Sequence, residues 1–481
     1  MDDVDDESRL VQNESLNCTE SITSNRRYLL LEPPVFLLSY AYYLSSTVLT
    51  DQIVYQTCTV SFDVNRSECA QLGKEHESAE VQALEARVQP YTANILMVQS
   101  IIYSILPAVL NLFIGPWSDQ FGRKPVLLVT FVGCVFSYLL DTVICFLSGQ
   151  YPVSPWYYTI SCVPLALTGS ICTLMTTVYC YIADVTSEEN RSSKMTILEA
   201  AQYSGMLLGN ISSSFVLKWT NATTVFAIAT GSTFIAILYI ALGVEESITI
   251  NEDCRREGCL SRIRNLFRPG LVLDTFRTTF GSRSNFNRPI ILMGVTVLGS
   301  CLFVEQYQTV LFLFVRKHFN WNVRTFSFYY SVDTVILIFG NLFGTFVLQK
   351  QLGITGAGIS AIGFFSCLLG SIVLAVATKP WHLYAAVVTN MLYGVSNSMT
   401  RAYVSNAAPP EDIGKIFAFS STFEELMPLV AAPLYTMVYK RNLAWYPGAF
   451  NWISSIVYVL CYCLSMTVCV LQSMQRSVTL Q

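Results

Sequence analysis

Gly115-Pro-Trp-Ser-Asp119-Gln-Phe-Gly122-Arg123-Lys124-Pro125 sets three charged residues and a glycine-bearing turn between two long apolar runs, about 92–114 and 126–147. Each run has the roughly 20 residues that a helix needs to cross a hydrocarbon core about 30 Å thick. Helices are expected because a span in lipid must satisfy its own backbone hydrogen bonds. The charged stretch then becomes a short turn at one face of the membrane. The rest of the chain repeats this pattern. Of 481 residues, 52% are hydrophobic and only 13% charged, and the mean hydropathy is +0.45. Ten further runs lie at about 33–53, 156–182, 195–217, 223–244, 289–315, 326–347, 355–377, 382–404, 415–438 and 447–471. The expected fold class is an all-α membrane protein with twelve transmembrane helices. The first thirty residues are polar and no small-residue cleavage pattern follows the first run, so no signal peptide is expected.

The side on which the turn lies follows from Lys and Arg, whose excess marks the cytoplasm. With both termini and the even-numbered loops on one side, that side holds 18 Lys or Arg and the other 10, with Arg401 left inside a span. Both termini are therefore expected in the cytoplasm. The largest share is Arg255, Arg256, Arg262, Arg264, Arg268, Arg277, Arg283 and Arg288, in a segment that divides the spans six and six. The expected organisation is a cytoplasmic N-terminus 1–32, a first six-helix bundle 33–244 with an extracellular loop 54–91, a cytoplasmic linker 245–288, a second bundle 289–471 and a tail 472–481. Acidic residues interleave with the linker arginines and the net charge is −4. The linker therefore reads as solvated or headgroup-facing, with no nucleic-acid partner.

Within the turn, Gly115 permits close approach of two helices, Gly122 allows a sharp reversal, and Pro125 suits the first turn of the next helix. The pattern G-x-x-x-D-x-x-G-R-K-P resembles the signature of the major facilitator superfamily. That resemblance implies the major facilitator fold and a cytoplasmic gate in which Asp119 and Arg123 link neighbouring helices. Asp184, in Ala183-Asp184-Val185 at the end of the fourth span, offers Arg123 a second carboxylate. The plain alternative is a positive-inside anchor.

Four further matches narrow the resemblance. They are "SDQFGRKP" at 118–125, "YIADV" followed by "KMTILEA" at 181–200, the lone Arg401 of the tenth span, and "LAWYPG" at 443–448. With the opening "EPPVFLLSYAYYLSSTVLTDQ" from Glu32, they make the chain similar to solute carrier family 46, the proton-coupled folate transporter and its relatives. The resemblance implies proton-driven movement of organic anions, into the cell or out of lysosomes. Glu199 matches a buried glutamate of proton coupling, and Arg401 a residue of substrate affinity and proton binding. Two departures stand out: Phe303 aligns where folate-transporting relatives have a histidine, and Ser170 where they have an aspartate. A phenyl ring exchanges no proton, which weakens the case for folate itself.

Ionisable groups inside a span cost about 2.5 kcal/mol or more at its centre, so each is a candidate site. Glu199, read as one turn into the fifth span, and Glu305, deep in the seventh, are the expected proton carriers, since apolar surroundings penalise a charged carboxyl and favour one that holds a proton. Arg401 is the expected partner of an anion, against the alternative of snorkelling to the headgroups. Asp333, Glu424 and Glu425 are candidate cavity-lining residues, with helix–helix hydrogen bonding as the alternative. Tyr203 shares a helix face with Glu199, and Tyr307 follows Glu305 by two residues; both are candidate substrate contacts. Asp51 and Asp141 lie near span ends and read as solvated.

The first outer loop carries Cys58, Cys69 and the sequon Asn65-Arg-Ser67. An outward loop is oxidising and open to glycosylation. A Cys58–Cys69 disulfide and a glycan on Asn65 are expected, against two free thiols. Where some relatives of the family staple this loop to the one after the seventh span through a Cys before a Trp, this chain has Asn320-Trp321. The sequons at Asn13 and Asn17 would be cytoplasmic and unused, and Asn221 lies close to the membrane.

No phosphate-binding loop, dinucleotide fingerprint, serine elbow or H-E-x-x-H is present, so no enzyme and no cofactor are expected. His76, His318 and His382 are scattered, so no metal site is expected. The expected function is a proton-coupled symporter of an organic anion working by alternating access, with a small anion, protons and the bilayer as partners. The alternatives are a proton-independent facilitator and a transport-incompetent receptor or scaffold. The plasma membrane is the expected location. The acidic leucine signal Asp6-Glu-Ser-Arg-Leu10-Val11 keeps the lysosomal membrane as the alternative.

Overall fold

The computed structural model describes residues 31–72, 79–248, 268–281, 287–319, 321, 323–442 and 445–479, and its regular elements there are all helical. The first bundle contains α1 (Glu32–Gln56), α2 (Arg66–Cys69), α3 (Ala79–Phe121), α4 (Arg123–Gln150), α5 (Tyr157–Leu167), α6 (Ser170–Val185), α7 (Glu188–Trp219) and α8 (Ala222–Gly243). After the linker helix α9 (Pro269–Phe280) come α10 (Asn287–Glu305), α11 (Gln308–Phe319), α12 (Val323–Phe343), α13 (Gly356–Ala375), α14 (Pro380–Thr389), α15 (Tyr393–Ala407), α16 (Ile413–Asn442) and α17 (Asn451–Thr479).

Three pairs join end to end, α5 with α6, α10 with α11 and α14 with α15, and α12 runs on as a π-helical stretch, Gly344–Gln351. The described helices thus form twelve rods, six before α9 and six after it. Eight stretches are long and apolar enough to cross a membrane by length and composition: Pro90–Phe121, Arg123–Gln150, Tyr157–Val185, Ala222–Gly243, Asn287–Val315, Phe328–Gln351, Gly356–Ala375 and Pro447–Gln475. The other four rods are α1, α7, α14 with α15, and α16. Three of these carry Glu199, Arg401, Glu424 and Glu425. Polar residues are tolerated there because those faces turn toward protein or a cleft instead of lipid.

Packing follows from small residues and apolar faces. In α7, Gly205 and Gly209 lie against the backbone of Phe36 and Tyr40, which lets α7 run close along α1. Helices α4 and α8 pair in the first bundle, and α13 and α17 in the second. Between the bundles, α3 packs on α16, α6 on α16, and α7 on α12 and α15. The cross-bundle hydrogen bonds gather toward the end that bears the Gly115–Pro125 turn. Asn111 Nδ2 donates to Ala418 O (3.1 Å), Thr422 Oγ1 to Ala108 O (3.1 Å) and Thr176 Oγ1 to Ser421 Oγ (2.6 Å). Gln349 also donates to Ser192.

Several expectations change. Residues 54–91, expected as a loop, are largely helical: α1 reaches Gln56, a π-helical turn covers Thr57–Ser61, α2 follows, and α3 begins at Ala79. The sequence Ala79-Glu-Val-Gln-Ala-Leu-Glu-Ala is too polar for a span yet rich in strong helix formers. The expected disulfide between Cys58 and Cys69 is present. Glu199 lies three turns into α7, because the helix starts at Glu188 on polar residues that hydropathy passes over. Asp141, expected to be solvated, is 5% exposed inside the first bundle. The linker arginines 255, 256, 262, 264 and 283, the acidic leucine signal, Asn13, Asn17, His76 and Asn320 lie outside the described residues.

Candidate functional site

The turn at the end of α3 is organised around Arg123, whose side chain is 1% exposed. A full charge at such a place needs pairing and hydrogen bonds. Nη2 reaches Asp119 Oδ1 at 2.5 Å, Nε donates to Asp184 Oδ2 at 3.1 Å, and Nη1 donates to Ser118 Oγ at 2.5 Å. Gly122 holds φ at +109°, a conformation L side chains rarely adopt, and reverses the chain into α4. The free N–H groups at the start of α4 are capped by Glu246, which accepts from Arg123 N (2.7 Å) and Lys124 N (3.1 Å). Ser247 Oγ donates to Asp184 Oδ2 at 2.9 Å. The second bundle packs against this turn. A Cβ on Gly115 would come within 2.2 Å of Ala418 Cβ, and Gly414, in the first turn of α16, leaves room for Asp119. Asp119 therefore faces the positive end of a helix from the opposite bundle.

Nearer the centre, Arg401 of α15 is 7% exposed and holds Glu424 of α16, Nη2 to Oε2 at 2.7 Å and Nη1 to Oε1 at 3.4 Å. Ser420 Oγ, one turn earlier, donates to Glu424 Oε1 at 2.8 Å. From the first bundle, the Tyr179 ring lies under the guanidinium, 4.4 Å from Cζ to centroid. Glu199 of α7 acts electrostatically on both Arg401 and Tyr179. It is 3% exposed, and neither of its oxygens closes a hydrogen bond among the described residues. Ser398 faces it, but its hydroxyl donates to Gly394 O at 3.3 Å. One cation, two carboxylates and an aromatic face thus meet where the bundles touch.

The Major Facilitator Superfamily model matches residues 36–432. The probable peptidoglycan muropeptide transporter SLC46 of Drosophila melanogaster is 32% identical over 440 residues, covering 89% of this chain and 83% of that protein. The chain belongs to the major facilitator superfamily and, within it, to solute carrier family 46. The proton-coupled folate transporter of Bos taurus is 24% identical over 423 residues, covering 86% of each chain. The human organic anion transporter MFSD10 (TETRAN) shares the fold at a TM-score of 0.66 and 15% identity, over 90% of this chain and 97% of that one. The protein is thus a membrane transporter of small molecules and not an enzyme.

Against this family background, the remaining candidates separate. Glu305, the last residue of α10, accepts a hydrogen bond from Tyr393 Oη at 2.8 Å and lies within electrostatic reach of Glu424 and Arg401. Tyr203 lies within the same reach of Glu199 and Glu305. Glu425 faces Cys172 of the first bundle. Asp333 and Tyr307 are elsewhere: both line a cavity inside the second bundle. Phe303 packs its ring 6.1 Å from Tyr435, and Ser170 opens α6 after the left-handed Gly169. Asn65 is exposed and its side chain caps α2 through Ser67 N at 3.4 Å.

Arg401, expected as the partner of an anion, is paired with Glu424 in this structure. The sequence shows neither which faces of α15 and α16 meet nor that Tyr179 lies beneath. It also hides Arg191, which is 8% exposed and crosses the bundles to Asn406 Oδ1 (2.6 Å) and Ser405 Oγ (3.2 Å) while donating to Ala183 O (2.9 Å). The available signals were the Ser420–Glu424 spacing of four, and Arg191 following Asp184 by seven residues.

Proposed function

We propose that the chain is a proton-coupled symporter of an organic anion that works by alternating access. The observation that carries this reading is the buried Arg401–Glu424 pair beside the Glu199 carboxyl, which has no ion pair among the described residues, at a place where both bundles meet. An anion gains from Arg401 only if Glu424 gives it up. Protonation of Glu424 or Glu199 removes a negative charge from this small volume, and the incoming anion replaces it. Proton and solute are then bound together because the site tolerates a limited net charge. Glu305, held by Tyr393, extends the same carboxylate set into the second bundle. Tyr179 and Tyr203 supply aromatic surface for a planar or amphipathic solute, with a folate-like anion, a bile-acid conjugate or a muropeptide as the classes to try. The names of the muropeptide and folate relatives support that choice.

In this reading the Asp119–Arg123 turn and α16 form a latch between the bundles, and the latch end is cytoplasmic, in keeping with the Lys and Arg excess. The disulfide and the exposed Asn65 sequon are outside, and the two bundles rock about the Arg401 site. The test is uptake of these three anion classes into cells or proteoliposomes, with and without an inward proton gradient. Glu199→Gln mimics the protonated form, so solute exchange should persist while gradient-driven accumulation disappears. Glu305→Gln should weaken the pH dependence as well. Accumulation that ignores the gradient in the unmodified protein would leave a facilitator. Uptake restricted to cations or neutral sugars would remove the anion reading.

A further inference from the structure

The second bundle contains a cavity of about 20 Å³, lined by both polar and apolar residues, that no step above uses. Its lining includes Asp333, Asn390, Asn451, Ser371, Ser454 and Tyr307, and none of its residues comes from the first bundle. Such a volume admits one water-sized or ion-sized occupant. Asn451 is 1% exposed, and its Nδ2 donates to Gly448 O at 3.4 Å, which leaves Oδ1 as the free atom. Oδ1 of Asn451 and Oδ1 of Asn390 are both buried without a hydrogen-bond partner among the described residues. Asp333 likewise has no ion pair there, and no Lys, Arg or His lines the cavity.

Two broken rods border the same space. Between α10 and α11 the ladder slips to three-residue steps, with Tyr307 N on Val304 O (3.0 Å) and Val310 N on Tyr307 O (3.1 Å). Between α14 and α15 it slips again, with Tyr393 N on Asn390 O at 3.0 Å. Short 3₁₀ stretches inside long helices mark hinges and loosen carbonyls from the α-helical ladder.

We propose that this cavity binds one small monovalent cation of the sodium type, held by Asp333 together with the amide oxygens of Asn390 and Asn451. Charge and hydrogen-bond supply suit this occupant. A proton alone supplies a single O–H donor and leaves at least one amide oxygen unmet, and a water alone supplies two donors but leaves the carboxylate charge uncompensated. A protonated Asp333 with one water beside it is the rival occupant, and it predicts no difference among the three salts below. A small cation satisfies carboxylate and amide oxygens at once and brings the net charge to zero. Hard oxygen donors with one negative charge suit a monovalent ion better than a divalent one, which collects more carboxylates. The ion would fasten the α14–α15 hinge to α12 and α17, beside the α10–α11 break.

The test needs no solute and no gradient, so it stands apart from the symport reading. The purified full chain in detergent is titrated with NaCl, KCl and choline chloride at fixed pH and ionic strength while thermal unfolding is followed. NaCl should raise the midpoint saturably, KCl less, and choline not at all. Asp333→Asn should lose the sodium response, Asn451→Ala should shift its half-saturation several-fold upward, and Glu305→Gln should keep it. Equal curves in the three salts overturn the proposal on the unmodified chain alone. A sodium response unchanged in Asp333→Asn, or in Asn451→Ala where the first variant does not fold, overturns it too.

Discussion

Arg401 and Arg123 face the same requirement, a buried guanidinium that must be matched, and meet it with different geometry. Arg401 sends two nitrogens to one carboxylate and lays its plane on Tyr179, an arrangement a lysine ammonium cannot copy. Arg401→Lys should reach the cell surface yet lose most uptake; uptake near that of the unmodified protein at equal surface expression would show that a point charge suffices. Removing one partner of a buried pair costs roughly 3–5 kcal/mol, whereas replacing both with apolar residues is often neutral. Glu424→Ala should therefore lower the unfolding midpoint more than Arg401→Met combined with Glu424→Leu, and the reverse order would show the pair to be solvated. At Gly122, any side chain meets a positive φ, a strain of about 1–3 kcal/mol. Gly122→Ala should lower stability by about that amount, and an unchanged midpoint would mean the turn relaxes freely. Asp119→Asn keeps the shape of the latch but gives up its charge at Arg123 and at the start of α16. Surface expression should hold while transport falls, and normal turnover would take Asp119 out of the gate.

The elements divide by why they could or could not be foreseen. The long apolar rods were legible because twenty apolar residues have one solution in a bilayer, and the α3–α4 turn because each position of its motif has a distinct steric or charge task. The helical start of α3 at Ala79 was not, since polar helix formers and polar loops have the same hydropathy. The breaks at 306–307 and 390–392 were also hidden: "VEQYQT" and "TNMLYG" put no proline there, and the slip is set by packing on neighbouring rods. The disulfide-bearing element was legible from its two cysteines and the intervening sequon. Cross-linking across 11 positions restricts the unfolded loop by about 3 kcal/mol on a chain-entropy estimate. Replacing both Cys58 and Cys69 with serine should speed protease nicking between α1 and α3, and identical nicking would show that the helical segments hold without the bridge.

Across the whole molecule, the candidate site was only partly readable because it is assembled from both bundles. Glu199, Glu305, Arg401 and Glu424 announce themselves as charges inside spans. Their pairing depends on how two rigid bodies meet, which no local spacing encodes. The same geometry makes the closed end testable: Ser192 and Gln349 bond across the bundles. A Ser192→Cys, Gln349→Cys protein treated with a short bis-methanethiosulfonate reagent, which makes up for the reach of the lost glutamine side chain, should cross-link and stop transporting, and reduction should restore it. Cross-linking without loss of transport would show that the bundles need not part there.

Helix α9 touches α3 of the first bundle but both α10 and α16 of the second, where Phe276 and Phe280 each lie 5.4 Å from the ring of Phe419. If the bundles turn against each other as proposed, a strut leaning on both has to let go of one. The aromatic grip makes α9 a passenger of the second bundle. In the proposed rocking cycle, the seam that opens would run between α9 and α3.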